Sequence, residues 1–202
     1  MSWLITDEEY EYWVELPADI TWGEDTVWDS EKEWAKHAAK SLLFFNDIPA
    51  KRSEMKRLTR LLIGARQVYE EAAIGTEHFL YFSNPKETEP LSLHLATWPA
   101  EGERASTLRK LARADSTEVI IPPQTEVFET EHLGSGLRSR NHTMLPDQSV
   151  SINLWYAFRD DQRNMDVVVL VSSDELGQLA AAEAHIDEFV RGVKLVDAYE
   201  EA

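Results

Sequence analysis

Residues 150–171 read VSINLWYAFRDDQRNMDVVVLV, and the fold follows from how this stretch is parsed. In its first half Val150, Ile152, Leu154, Tyr156 and Phe158 alternate with Ser149, Ser151 and Asn153. A period of two, apolar on one side and polar on the other, marks a strand that lies on a core by one face. Residues 159–164 are polar and read as a loop. The second strand starts near Met165, and its part from Val167 to Val171 is apolar at every position. A strand apolar on both faces belongs at the centre of a sheet that is covered on each side.

Downstream, Ser172-Ser173-Asp174-Glu175 has the spacing of a capping box, with Ser172 as N-cap and Glu175 reaching back. Leu179, Ala182, Ile186, Phe189 and Val193 then recur at helical spacing as the buried stripe of a closing helix. Upstream, residues 125–131 and 137–144 flank Gly134-Ser135-Gly136, which predicts a hairpin turn at the glycines. Residues 118–121 read as a short strand stopped by Pro122-Pro123. A short helix is expected over 103–114, with Leu108 and Leu111 inward and Arg104, Arg109, Lys110 and Arg113 outward. Residues 78–82 and the alternating Leu91, Leu93 and Leu95 read as two strands joined through a turn at Asn84-Pro85-Lys86.

Two helices precede these strands. Ser30-Glu31-Lys32-Glu33 is a capping box, and Trp34, Ala38, Leu42 and Phe45 behind it are the predicted buried stripe of a helix that stops before Pro49. The period predicts a longer helix from 51 to 73, ended by Gly75. Its inward residues are Met55, Leu58, Leu62, Ala65, Val68 and Ala72, and its outer face carries Lys51, Arg52, Lys56, Arg57, Arg60 and Arg66. On that face Glu54 and Arg57 can pair at i,i+3, while Lys56 and Arg60 repel at i,i+4. Residues 10–17 form an opening strand closed by Pro17.

The order of elements predicts an α+β fold: a curved antiparallel β-sheet with two N-terminal helices and a C-terminal helix packed on it. The expected organisation is a single α+β domain over 1–196, with 197–202 as a flexible acidic tail. No internal repeat or low-complexity segment interrupts it.

Thirty-seven acidic against 20 basic residues leave a net charge of −17. A field of that sign repels nucleic acid and anionic lipid and favours basic partners. The longest apolar runs, Val167–Val171 and 42–45, are far short of the roughly 20 residues of a membrane-spanning helix. The opening Met1-Ser2-Trp3-Leu4-Ile5-Thr6-Asp7-Glu8-Glu9 lacks the charge pattern of a secretory signal, and there is no cysteine for a disulfide framework. These features point to a cytoplasmic protein that engages neither nucleic acid nor membrane, as a monomer or a weak homo-oligomer.

Trp13-Val14-Glu15-Leu16-Pro17 with Trp22 after it, the paired strands of 150–158 and 165–171, and Glu188-Phe189-Val190-Arg191-Gly192-Val193 form a pattern. That pattern resembles the PsbP-like fold group, including its LpqN-type actinobacterial proteins. The resemblance covers about the last 60 residues and a short piece near the start, judged by strand and helix periodicity. It implies a bacterial protein with a curved antiparallel sheet and a binding or assembly role. It carries over no catalytic residue. The chain departs from the group in its long double helix at 30–73 and in having no cysteine to lipidate.

Catalytic motifs are not found. The eight glycines are dispersed, with no phosphate-binding loop and no dinucleotide fingerprint. Gly134-Ser135-Gly136 has the wrong spacing for a serine elbow. Of the six histidines, His78 and His94 lie on sequential strands near Glu77, but their spacing matches no metal motif. Asp160-Asp161 and Asp7-Glu8-Glu9 sit in loops, where solvation keeps carboxylates ordinary. No cofactor, metal or catalytic residue is therefore expected.

Two features remain as candidate binding sites. Residues 1–30 hold nine acids, no Lys or Arg, and Trp3, Trp13, Trp22 and Trp28. Tryptophan is enriched at binding hot spots, and acids steer a basic partner, so Trp3, Trp22 and Trp28 are candidate contacts. The competing reading makes Trp13 and Trp22 core residues and lets Trp28 staple the first helix. The second feature is the basic helix face, with Arg52, Lys56 and Arg60 as candidate contacts for an anionic partner or ligand. The leading expectation is a non-enzymatic protein-binding or assembly module. An immunity-type inhibitor of a basic toxin, and a hydrolase or transferase with a motif-less site, are the alternatives.

Overall fold

The structure is a computed structural model that describes residues 2–5, 12–17, 28–69, 76–86 and 89–197. The fold is α+β. Seven strands form an antiparallel sheet in the order β2-β3-β4-β8-β7-β6-β5, and β1 (Ser2–Ile5) pairs separately with β9 (Lys194–Asp197). The sheet strands are β2 (Trp13–Leu16), β3 (Thr76–Tyr81), β4 (Leu91–Pro99), β5 (Gln124–Thr130), β6 (Gly134–Met144), β7 (Val150–Asp160) and β8 (Met165–Ser173). The helices are α1 (Glu31–Phe45), α2 (Arg52–Tyr69), α3 (Arg104–Leu111) and α4 (Leu176–Gly192). The chain divides into two compact units, residues 9–92 and residues 1–8 with 93–202. Strand β4 supplies its first two residues to the former and the rest to the latter.

In the unit of residues 9–92, α1 and α2 form a helical hairpin on β2 and β3. The core joins Val14, Leu16, Leu80 and Phe82 of the strands to Trp34, Ala35, Ala39, Leu42 and Leu43 of α1 and Leu58 and Leu62 of α2. The capping box of α1 forms: the Glu33 N–H donates to Ser30 Oγ at 3.2 Å. Glu33 reaches back one residue further than the motif requires and accepts from the Asp29 N–H at 3.1 Å. The buried stripe of α1 keeps the expected Trp34 and Leu42 and is otherwise shifted. Ala35, Ala39 and Leu43 are in the core, while Ala38 is half-buried and Phe45 is 47% exposed. In α2 the inward row is Leu58, Leu62 and Arg66, and Val68 is 73% exposed. Arg66 is thus not on the outer basic face. Its guanidinium donates to the Pro17 carbonyl at 3.0 Å and to Glu31 at 3.1 Å, which satisfies a charge that burial would otherwise penalise. The expected Glu54–Arg57 pair is present at 3.3 Å. The expected end of α2 at 70–75 lies outside the described residues.

In the other unit, β7 and β8 are the middle of the structure. Leu154, Tyr156, Phe158, Val167 and Val169 are fully buried on one face, where Tyr156 donates to Asp187 of α4 at 2.5 Å. On the opposite face Ala157 and Val168 pack with Leu108 of α3 and with Ala112, its C-cap. Covering by α3 and α4 explains why the β8 run is apolar at every position. The polar stretch 159–164 is only partly a loop. Arg159 and Asp160 continue β7, and Arg159 is buried in a two-pronged ion pair with Asp166 at 2.7 and 2.9 Å.

Other expectations shift as well. The hairpin between β5 and β6 turns at Glu131-His132-Leu133, not at the glycines, and Leu133 N–H donates to Thr130 Oγ1 at 2.9 Å. Gly134, at φ +70°, closes this turn, and Gly136 lies inside β6 against Phe158. Residues 118–121 are not a strand. Ile120 N–H makes one bond to the His142 carbonyl at 2.8 Å, and Pro122-Pro123 then withhold the donors a ladder needs. Ser172 does not cap α4, because it lies within β8 and donates to Asn153 at 2.7 Å. The N-cap is Glu175, without a side-chain bond. The predicted stripe of this helix, Leu179, Ala182, Ile186, Phe189 and Val193, is buried throughout. Asp197 ends β9, and residues 198–202 lie outside the described residues.

Candidate functional site

The helical hairpin carries two grooves, and α1 borders both. Helical period separates them. Trp34, His37, Ala38, Ser41, Leu42 and Phe45 form one stripe of α1, while Lys32 and Lys36 lie on the opposite side.

The first groove, of about 540 Å³, is walled by that α1 stripe and by Trp13, Val14, Glu15 and Pro17, with Trp28 also on its wall. Consecutive strand residues point to opposite faces. Trp13, Val14 and Glu15 therefore share one groove only because it runs along the edge of β2, which is the outermost strand of the sheet order. The register tells which backbone groups face outward. Phe82 N–H donates to the Tyr12 carbonyl at 2.8 Å, so Tyr12 and, two residues on, Val14 and Leu16 bond toward β3. Glu15 alternates with them and turns its N–H and C=O to the outer edge. The residue is exposed, yet desolvation by burial holds its carboxyl above the usual carboxylate range. Trp28 is half-buried, with its ring 4.5 Å from that of His37. Phe44, 74% exposed, sits edge-on to Phe45 beyond the groove's end.

The second groove, of about 470 Å³, lies between α1 and α2. Lys32 and Lys36 enter it from α1, and Arg52, Met55, Lys56, Thr59, Arg60 and Ile63 from α2. All five cations are exposed, and among the described residues none has a carboxylate within ion-pair distance.

The structure thus brings together Arg52, Lys56 and Arg60, and adds Lys32 and Lys36. Sequence reasoning missed these two because the capping motif drew attention to their acidic neighbours. Their i,i+4 spacing was the available signal. Trp28 belongs to the other groove. Trp22 and the side chain of Trp3 lie outside the described residues, although Trp3 pairs with Val196 in the small sheet. Three of the four basic residues expected on the α3 segment, all but Lys110, are engaged within their own unit. Arg104 pairs with Asp161, Arg109 pairs with Asp115, and Arg113 lies 5.7 Å over the Trp155 ring.

Several polar side chains elsewhere are engaged with one another within the fold. Arg138 is held by Glu126, Glu183 and Asp187 and by the Tyr156 hydroxyl, against the inner side of α4. Burial, followed by the bond to Asp187, raises the Tyr156 phenol far above its ordinary range. Asn141 is buried and donates to the Arg113 carbonyl at 3.3 Å. Among the described residues no three His, Asp or Glu side chains converge on a metal position, and no helix is long and apolar enough to cross a membrane. No protein-family model matches the chain, and no curated protein matches it either.

Proposed function

We propose that the chain is a protein-binding module whose groove between β2 and α1 takes up an extended segment of a partner protein. The observation that carries this reading is the outward-turned backbone of Glu15 facing an apolar helix stripe across one groove. An edge strand opposite a helix is the arrangement that accepts a peptide by strand addition. Main-chain bonds supply affinity and side-chain pockets supply specificity. Aromatic walls at Trp28, Trp34 and Phe45 provide the large contact area typical of hot spots. The desolvated Glu15 carboxylate favours a segment with a Lys or Arg among apolar residues, because a cation beside it offsets the desolvation penalty. A binding role is also what the PsbP-like resemblance implies.

The test is co-purification from native cells at low and high salt, with the native chain and a Phe45→Asp variant side by side. Phe45 is exposed, so the variant folds. A stoichiometric partner held by the native chain and lost by the variant supports the proposal. A partner retained equally by both chains, or none at either salt, overturns it.

A further inference from the structure

A cationic groove on a protein of net charge −17 needs a physical reason. Cations in such a chain find acids readily, and several arginines here do. Arg57, Arg66, Arg104, Arg109, Arg138, Arg140, Arg159 and Arg163 all contact carboxylates. Among the described residues, Lys32, Lys36, Arg52, Lys56 and Arg60 contact none, although they crowd one groove. Like charges at i,i+4, as in Lys32 and Lys36, Arg52 and Lys56, or Lys56 and Arg60, destabilise a helix. The arrangement lowers the stability of the free protein and is relieved by an anion in the groove.

The rows of α2 define the shape of that anion. By helical period, Met55, Thr59 and Ile63 form one i,i+4 row. That row lies between the buried row of Leu58, Leu62 and Arg66 and the cationic row of Arg52, Lys56 and Arg60. Lys32 and Lys36 border the same groove from α1. An apolar floor with cations on both sides matches a helix that presents an apolar ridge flanked by Glu or Asp, docked ridge into groove. A bare phosphate would leave the apolar row unused. A nucleic acid or an anionic membrane extends well beyond a Debye length of about 8 Å and meets the repulsive field of the whole chain. A short acidic segment places its charges only against the five cations.

We propose that the α1–α2 groove is a second docking site, separate from the β2–α1 groove, and that its occupant is an acidic amphipathic helix of a partner protein. The proposal rests on the cations that have no carboxylate partner among the described residues and on the apolar row, and not on the strand-edge reading.

The experiment measures fluorescence anisotropy of a labelled amphipathic peptide, with Leu on one helical stripe and Glu flanking it, titrated with the full chain. The Glu peptide is expected to bind, and its affinity is expected to fall as salt rises. A chain with Lys56→Glu and Arg60→Glu is expected to bind at least about tenfold more weakly, while a circular-dichroism melt shows it folded. Phe45→Asp, in the other groove, is expected to leave this binding unchanged. No binding of the Glu peptide overturns the proposal, and so does equal binding by the doubly substituted chain. It is overturned equally if the same peptide with Lys for Glu, a single-stranded DNA oligonucleotide, or phosphatidylserine vesicles bind as well as the Glu peptide.

Discussion

At the scale of single residues, two glycines separate packing from propensity. A Cβ on Gly136 would stand 2.3 Å from Phe158 Cδ1 and 2.5 Å from the Ala157 carbonyl, inside a strand that cannot move aside. Gly136→Ala is expected to cost about 1–3 kcal/mol, as overpacking does, read from the urea midpoint. Gly64, in α2, has nothing within 4 Å of the same position. Gly64→Ala is expected to stabilise by about 0.5–1 kcal/mol, since alanine restricts the unfolded chain and favours helix. A loss at Gly64 or a gain at Gly136 would contradict these contacts. His94 supplies a pH test. Burial holds its imidazole below the ordinary 6.5, so the folded chain favours the neutral ring. Its contribution to stability is present above about pH 6.5 and is lost as pH falls, because the unfolded chain takes up the proton first. A His94→Gln chain is expected to show a shallower fall in stability on the acid side. Unchanged steepness would place the acid sensitivity elsewhere.

At the scale of elements, α1 and α4 show what a capping motif can and cannot reveal. Ser30-x-x-Glu33 caps α1 because the chain enters that helix from an extended residue at φ −163°. Ser30→Ala is expected to cost about 1 kcal/mol in a thermal or urea melt. Ser172-x-x-Glu175 has the same letters, yet β8 continues through Ser173, so the two serine hydroxyls serve the neighbouring strand and the turn. Helix α2 carries a prediction in which binding and stability oppose one another. Lys56→Gln removes one member of the Arg52, Lys56, Arg60 row. It is expected to raise stability by a few tenths of a kcal/mol while weakening the Glu peptide. A variant that lost stability would show that Lys56 has a structural partner.

At the scale of the whole molecule, the unit of residues 1–8 with 93–202 grades from a buried centre at β7 and β8 to an open edge at β5. Val127 of β5 is 65% exposed, whereas Leu154, Tyr156, Phe158, Val167 and Val169 are fully buried. Hydrogen exchange is expected to be slowest at the β7–β8 amides, which open only with their unit, and fastest at the outward amides of β5. Slower exchange in β5 than in β8 would refute this ordering of the unit that contains both.

The sequence by itself determined the fold class, the centrality of β8, the stripe of α4 and the cap of α1. Each rests on a local regularity: an alternation, a helical period or a three-residue spacing. It also exposed Arg52, Lys56 and Arg60 as a row. The tertiary structure alone decided which side of a broadly apolar helix meets the core. Trp34, Ala35, Ala38, Ala39, Leu42, Leu43 and Phe45 span a wide arc of α1, and period cannot choose between neighbouring stripes. Ala35, Ala39 and Leu43 went inward, which left Ala38 and Phe45 to line a groove. It decided equally that Arg66 and Arg159 are buried while Arg60 is not. A guanidinium goes inside only where carboxylates or carbonyls wait for it, as Glu31 and Pro17 do for Arg66 and Asp166 with the Glu101 and Gly102 carbonyls do for Arg159, and no local pattern records the partners that are distant in the chain.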